Sequence, residues 1–118
     1  MEYADEEIWR PCPNFPKYSV SHLGRVKNES GLILKPYTDS QGYLNVGLYV
    51  DYKTHHVDSR IKISLHRLVA DAFLLKDPTR PVVDHIDRDR KNNCLTNLRR
   101  ATHHENALNK KQSDGRRA

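Results

Sequence analysis

The clearest pattern of hydrophobic and polar positions lies at residues 43–50, where apolar side chains occur at every second position. A period of two is typical of a strand with one face in a core and the other toward solvent. Gln41-Gly42 just before it marks a turn, and residues 60–64 repeat the alternation, with Ile61 and Ile63 expected to point inward. We predict an antiparallel hairpin from these two segments.

A helix is predicted to follow the hairpin directly. Ser64 is a suitable N-cap residue, and apolar positions then recur at helical spacing up to about Leu75. Lys76-Asp77-Pro78 stops the helix, because proline disfavours helical backbone at the residue before it. The stripe expected to face the core consists of Leu65, Leu68, Val69, Ala72 and Phe73.

The residues before the hairpin predict short strands and turns. Three prolines within residues 11–16 exclude regular helix there, so order must come from packed aromatic side chains. Gly24 permits a tight turn, after which Arg25 and Lys27 share one face of a strand. A returning strand is predicted at residues 32–35. The expected aromatic anchors are Trp9, Phe15 and Tyr18.

The last third of the chain predicts a strand, a polar loop, a second strand and a helix. Short apolar runs at Val82-Val83 and residues 95–101 flank a turn rich in Asp and Asn. Thr102 and Glu105 have the spacing of a capping box, in which each side chain accepts the backbone N–H of the other residue. The predicted unit is therefore ββα.

Three motifs in this unit occur in a defined order: D-H-I-D at 84–87, N-N-x-x-x-N-L at 92–98 and T-x-x-E-N at 102–106. Together they resemble the ββα-metal finger of HNH endonucleases, most closely the homing endonucleases of phages and mobile introns. The string Y-S-V-S-H-L-G-R-V at 18–26 resembles the small DNA-contacting β module that accompanies many of these enzymes. Residues 66–73 resemble the helix that precedes the finger in the same family.

The resemblance implies a role for each matching residue. His85 corresponds to the general base that takes a proton from the attacking water. Asp84 and Asn106 correspond to the ligands of one divalent metal per site. Asn97 corresponds to the middle Asn of the HNH motif, whose family role is to brace the loop and orient the imidazole.

These residue types suit the hydrolysis of a phosphodiester bond. Imidazole titrates near neutral pH and can serve as a base without assistance. A metal neutralises charge on the nonbridging and departing oxygens, and carboxylate and amide ligands favour Mg²⁺ or Mn²⁺ over Zn²⁺. One finger cuts one strand, so the resemblance implies that a monomer nicks and leaves 5′-phosphate and 3′-hydroxyl ends.

The residues alone leave alternatives open. Adjacent residues on a regular strand face opposite sides, so Asp84 and His85 share a site only where the strand bends or ends. Asp87 and Asp89 are near enough in sequence to replace a ligand. Each residue also has an ordinary interpretation, as a turn carboxylate, a partly buried imidazole or a loop amide.

The distribution of charge along the chain predicts a binding partner. The chain has 118 residues, 36% of them hydrophobic, and a net charge of +5, which fits one compact domain with a small core. Residues 1–79 contain 10 Lys and Arg against 10 Asp and Glu, whereas residues 80–118 contain 10 against 5. This concentration of positive charge predicts binding to double-stranded DNA. The candidate contacts are Arg25, Lys27, His66, Arg88, Arg90, Lys91, Arg99, Arg100, Lys110 and Lys111.

The two cysteines, Cys12 and Cys94, lie far apart and form no C-x-x-C pair. This argues against a disulfide-rich secreted domain and against a Cys₄ zinc site, and predicts two reduced thiols. No segment resembles a signal peptide or a membrane span. We expect a protein of the cytoplasm of a bacterial or phage-infected host cell, a monomer or weak dimer, without a membrane partner or a small-molecule cofactor.

The predicted fold class is α+β, with an N-terminal antiparallel β module and helix followed by a C-terminal ββα-metal finger. The expected segments are a flexible acidic N-terminus at 1–7, the β module plus helix at 8–79, the finger at 80–112 and a basic flexible tail at 113–118. The predicted function is that of a metal-dependent DNA endonuclease. Two alternatives remain: a non-catalytic DNA-binding protein that keeps the fold, and a small phage-type protein-interaction module.

Overall fold

The computed structural model describes residues 6–49 and 60–115, with the backbone alone for residues 110–115. This part of the chain contains three antiparallel sheets and two helices, which confirms the predicted α+β class. In chain order its elements are β1 Trp9–Cys12, β2 Phe15–Ser21, β3 Val26–Asn28, β4 Tyr37–Thr38, β5 Leu44–Tyr49, β6 Arg60–Ser64, α1 Leu65–Phe73, β7 Val82–His85, a 3₁₀ turn Leu95–Asn97, β8 Leu98–Ala101 and α2 His103–Gly115.

The first sheet, in the order β1-β2-β3, forms around the predicted turn at Gly24, whose φ is +90°. The Ser21 hydroxyl holds this turn by accepting the backbone N–H groups of Leu23 and Arg25 at 3.2 and 3.1 Å. The predicted strand at 32–35 is wrong, because only a single bridge forms, between Lys27 and Ile33. Strand β3 is only three residues long, so it offers few backbone groups with which this segment could pair as a strand.

The second sheet contains the predicted hairpin of β5 and β6 beside the short strand β4. Val46 and Leu48 are buried as expected, but Ile61 is 39% exposed, so its predicted inward position is wrong. Ile61 lies at the end of β6 far from α1, which begins immediately after Ser64 and covers only the near end of the sheet.

Helix α1 is the common packing surface, since it contacts strands of all three sheets. It buries Leu65, Leu68 and Val69, as its apolar stripe predicts. Ser64 occupies the N-cap position with extended backbone but makes no side-chain cap hydrogen bond. The helix ends at Phe73, two residues before the predicted Leu75.

The third sheet pairs β7 with β8 in a register that places Asp84 opposite Arg99. The capping box forms as predicted: Thr102 N donates to Glu105 Oε1 at 2.8 Å, and Glu105 N donates to Thr102 Oγ1 at 3.0 Å. Helix α2 then continues through Gly115, three residues into the segment predicted to be a flexible tail. In the portion of the chain described here, neither helix has the length and apolar character needed to cross a membrane.

Candidate active site

Asp84 and His85 form the last two residues of β7, and both are buried, with 4% and 5% of their surfaces exposed. The chain leaves the strand immediately afterwards, because Arg88 N donates to His85 O in a turn and Arg88 adopts a φ of 67°. The strand therefore ends at His85. This end is the condition under which the side chains of Asp84 and His85 can face one site.

The imidazole of His85 is held by the loop that follows it. Its Nε2 lies 2.8 Å from Oδ1 of Asn93, which is itself buried. Because the amide oxygen only accepts, the hydrogen of a neutral His85 lies on Nε2 and the lone pair is left on Nδ1. The His85 ring also packs against the rings of His66 and Tyr43, with centroids 4.8 and 6.0 Å away.

His66, on α1, is a neutral neighbour of this imidazole. Burial is the largest cause that lowers the pKa of His66 to about 4, and the positive charges of His85 and Arg67 lower it further. Its Nδ1 has no partner within residues 6–49 and 60–115. The predicted contact of His66 with DNA would therefore have to be a neutral hydrogen bond.

Asn97 makes the loop contacts that the middle Asn of the motif is expected to make. Its Nδ2 donates to Asp87 Oδ1 and Asn92 O, both at 2.9 Å, and its Oδ1 accepts Asp87 N at 3.0 Å. It makes no hydrogen bond to the imidazole of His85, which Asn93 contacts instead. Sequence reasoning treated Asn93 only as part of the N-N motif and missed this contact.

The two alternative acidic ligands are used within the same loop. Oδ1 of Asp87 accepts Asp89 N at 2.8 Å, and Oδ1 of Asp89 accepts Lys91 N at 3.0 Å. The pKa of Asp87 is lowered, first by the hydrogen bond from the Asn92 side chain. Both carboxylates therefore stabilise the turn.

The carboxylate of Asp84 contacts one residue from each neighbouring element of the finger. Its Oδ2 accepts Arg99 Nε on β8 at 3.0 Å, and Asn109 Nδ2 on α2 lies 3.2 and 3.1 Å from its two oxygens. Asn109 also donates to His85 O at 3.0 Å. Asn106, the predicted ligand, is half-buried one turn earlier, and a separation of three places both residues on one helix face. That spacing was the available signal for Asn109, which sequence reasoning missed.

The donor set beside Asp84 suits a hard cation. No group of three or more His, Cys, Asp and Glu residues with the spacing of a metal site occurs in residues 6–49 and 60–115. Asp84 offers one carboxylate, a ligand that Mg²⁺ and Mn²⁺ accept together with amide oxygens and water. In this structure the atom of Asn109 that faces the carboxylate is the donor Nδ2. The guanidinium of Arg99 forms an ion pair with the buried carboxylate of Asp84.

The predicted DNA contacts of the N-terminal sheet share one face, as the sequence indicated. The guanidinium carbon of Arg25 lies 5.7 Å from the centre of the Trp9 ring, and Nζ of Lys27 lies 4.1 Å from the same point. Arg25 also forms a bidentate ion pair with Glu7. The hydrogen bond from Arg25 is the largest cause that lowers the pKa of Glu7, to about 2.

The remaining predicted DNA contacts differ in whether their charged groups are already bonded within the protein. Arg90 stacks 4.7 Å above the Tyr43 ring and donates to Gln41 O, while Lys91 is exposed. The guanidinium of Arg100 is occupied by the end of α1, where it donates to several carbonyl oxygens and to Asp71. The side chains of Lys110 and Lys111 lie outside the described residues.

Known families match both halves of the chain. Residues 7–49 match the NUMOD4 motif and residues 64–108 match an HNH endonuclease family. Uncharacterized HNH endonuclease L245 of Acanthamoeba polyphaga mimivirus is 35% identical over 99 residues, which are 83% of this chain and 28% of that protein. DNA endonuclease I-HmuI of Bacillus phage SP01 is 37% identical over 93 residues, which are 78% of this chain and 50% of that protein.

A solved structure that describes DNA binding and cleavage by the HNH homing endonuclease I-HmuI has the same fold as this chain. Its TM-score is 0.76 at 31% identity, and the match covers 91% of this chain and 59% of that chain. The chain thus spans between about a quarter and a half of the length of the curated relatives it matches.

Proposed function

This chain is a member of the HNH endonuclease family with a NUMOD4 motif ahead of its finger, and from that premise we propose that it is a metal-dependent endonuclease that nicks double-stranded DNA. One observation carries the proposal. His85 ends β7 beside the buried carboxylate of Asp84, and its Nε2 is held by Asn93 while Nδ1 makes no hydrogen bond to any residue of the described ranges.

His85 acts as the general base in this proposal. The acceptor at Nε2 keeps the lone pair on Nδ1, where it can take a proton from the water that attacks the phosphorus atom. The side chains of Tyr43 and His66 pack beside the ring and restrict its rotation. Asn97 acts one step away, by holding the loop that contains Asn93.

Asp84 and Asn106 are the residues that would hold the metal, with Asn109 beside them on α2. The bound cation would neutralise the negative charge that develops on the phosphate oxygens. Asn109 contributes by orienting Asp84, since its amide contacts both carboxylate oxygens. Arg99 forms an ion pair with the same carboxylate at 3.0 Å.

Double-stranded DNA is the proposed substrate. Arg88, Arg90 and Lys91 belong to the loop between His85 and Asn97 and give it positive charge. Arg90 stacks on the Tyr43 ring, which packs beside His85. Lys27 adds a second positive group on the N-terminal sheet, where the charge of the neighbouring Arg25 is paired with Glu7. We leave Arg100 out of the DNA-contacting set because its guanidinium is occupied by α1.

The proposal is tested with supercoiled plasmid DNA incubated with the protein in Mg²⁺ and, in parallel, in EDTA. We expect open-circular product in Mg²⁺ alone. His85→Ala should lower the rate by about 10² to 10⁴, the usual contribution of a general base. The matched control is His104→Ala, because His104 is exposed on α2 and has no part in the proposed chemistry.

Other outcomes identify the alternatives. DNA binding without nicking in Mg²⁺ would indicate a non-catalytic DNA-binding protein. Neither binding nor nicking would favour the protein-interaction module. Equal nicking by the wild type and His85→Ala would remove His85 from the mechanism.

A further inference from the structure

The turn between β2 and β3 packs directly on the loop that holds His85. Leu95 N donates to His22 O at 2.7 Å across this contact. A Cβ atom built on Gly24 would lie 3.0 Å from the carbonyl oxygen of Asn93 and 3.1 Å from its Cβ. The backbone of Gly24 therefore lies against Asn93, and a Cβ atom at position 24 would require Asn93 to shift by a few tenths of an ångström.

Asn93 connects this turn to the imidazole. It is 4% exposed, its Oδ1 lies 2.8 Å from His85 Nε2, and its Nδ2 has no partner in the described part of the chain. Burying an amide with an unsatisfied donor costs free energy. Among the residues that the structure describes, the contact with His85 is the one hydrogen bond of this side-chain amide, and it is what Asn93 contributes to the site.

We propose that Gly24 and Asn93 form a support that sets the tautomer and the orientation of His85, so that the N-terminal β module helps to position the catalytic base. Asn93 is a positioning residue in this proposal, and Gly24 acts through it. The consequence for catalysis rests on the proposed endonuclease function. The structural claim does not, since the tautomer of His85 exists and can be measured without DNA or metal.

The physical basis is the single hydrogen of a neutral imidazole. An acceptor that faces Nε2 stabilises the tautomer with hydrogen on Nε2 and lone pair on Nδ1. Without that acceptor both tautomers are populated and the ring is free to turn. A general base with its lone pair on the wrong nitrogen cannot take the proton, so a shift in tautomer lowers kcat and leaves DNA affinity unchanged.

Asn93→Ala removes the acceptor, and Asn93→Asp keeps an oxygen at the same place. We measure the tautomer of His85 from imidazole ¹⁵N shifts in the metal-free protein, with the signal assigned by its loss in His85→Ala. We expect Asn93→Ala to lower the fraction of Nε2–H tautomer and to reduce kcat by about 10- to 100-fold, as is usual for residues that orient a catalytic group. Asn93→Asp should retain the Nε2–H tautomer and more of the activity than Asn93→Ala.

Gly24→Ala tests the support from the β module, and Gly31→Ala is its matched control. Both glycines have a positive φ, +90° and +92°, so alanine introduces similar backbone strain at either position. Only the Cβ at 24 would meet Asn93, because nothing lies within 4 Å of the corresponding position at Gly31. We expect Gly24→Ala to change the His85 tautomer and lower kcat, and Gly31→Ala to change neither.

The results decide the proposal either way. An unchanged His85 tautomer in both Asn93→Ala and Gly24→Ala would overturn it, as would equal effects of Gly24→Ala and Gly31→Ala. If Asn93→Ala does not fold, the comparison of the two glycine variants and of Asn93→Asp still gives the answer. Absence of nicking by the wild-type protein would refute the proposed function while the tautomer measurements still test this support.

Discussion

Asp84 and His85 are adjacent in the chain, yet the residues that hold them come from different parts of the molecule. Asp84 is held by Arg99 and Asn109, both within the finger. His85 is held by Asn93 and packs against the rings of Tyr43 and His66, which belong to the segments before the finger. The proposed metal half of the site is therefore local, and the proposed base half is assembled from the whole chain.

This difference shows where the segment that matches NUMOD4 contacts the segment that matches the HNH endonuclease family. The NUMOD4 match covers residues 7–49 and includes Tyr43 and Gly24, both of which lie beside the base half. A change in the N-terminal module should therefore affect the proton-transfer step through His85. A change on α2 should affect the metal step through Asp84. Four experiments test this division of the site.

Among these four experiments, the largest effect is expected at Asn106. If its amide is a metal ligand, Asn106→Ala should reduce nicking at limiting Mg²⁺ by about 10- to 100-fold, with excess Mg²⁺ restoring part of the activity. Asn106→Asp should retain more activity, because a carboxylate also binds the cation. Nicking rates measured against Mg²⁺ concentration provide the test.

Asn109→Ala is the matched comparison on the same helix face. It removes the hydrogen bonds that orient Asp84, so we expect a smaller rise in the Mg²⁺ requirement than for Asn106→Ala. Neither variant should alter the tautomer of His85. Full activity of Asn106→Ala at limiting Mg²⁺ would exclude Asn106 as a ligand.

Asn97→Ala should lower both stability and activity, because the loop brace supports both halves. The substitution leaves Asp87 N–H without its acceptor and removes two further bonds, for an expected loss of about 1 to 3 kcal/mol in the free energy of unfolding. Urea denaturation measures this loss. Asn92→Ala, which removes a single side-chain bond to Asp87, should cost less. Unchanged stability of Asn97→Ala would argue against a loop brace.

The base half should also make stability depend on pH through His66. The pKa of His66 is lowered by burial to about 4, below the value of about 6.5 in an unfolded chain. The unfolded state therefore binds more protons between these values, and stability is full above pH 6.5 and is lost as pH falls toward 4. We expect a loss of about 2 kcal/mol from pH 7 to pH 5, measured by urea denaturation.

His66→Gln removes the titrating group and should abolish most of that loss. Besides burial, the positive charges of His85 and Arg67 lower the pKa of His66, and the negative charge of Asp39 raises it. A His66→Gln protein that loses as much stability as the wild type would assign the pH dependence to another group.

The smallest effect is expected at Lys27, which belongs to neither half. If Lys27 contacts one phosphate, Lys27→Gln should flatten the slope of log K against log salt by about 0.9. Lys17→Gln is the control, since Lys17 is exposed on β2 and is outside the predicted contacts. Equal slopes for the two variants would exclude the contact. An unchanged nicking rate at saturating DNA would confirm that Lys27 acts in binding alone.

Local patterns in the sequence were enough to predict the order of elements in the ββα unit. The capping box is an example, because Thr102 and Glu105 lie three residues apart and their hydrogen bonds depend only on the helix between them. The turn at Gly24 is another, since its positive φ is a property of glycine itself. The family motifs at Asp84 and His85 then indicated the chemistry.

The tertiary structure alone decided which of several equivalent residues reaches each group. Five asparagines occur between residues 92 and 109, and the sequence does not tell that Asn93, rather than Asn97, contacts the imidazole. Nor does it tell that Arg100 serves the end of α1. Such contacts depend on the path of a loop and on elements distant in sequence. Short-range hydrogen bonds follow from residue spacing, whereas these long-range ones exist only after the sheets have packed around α1.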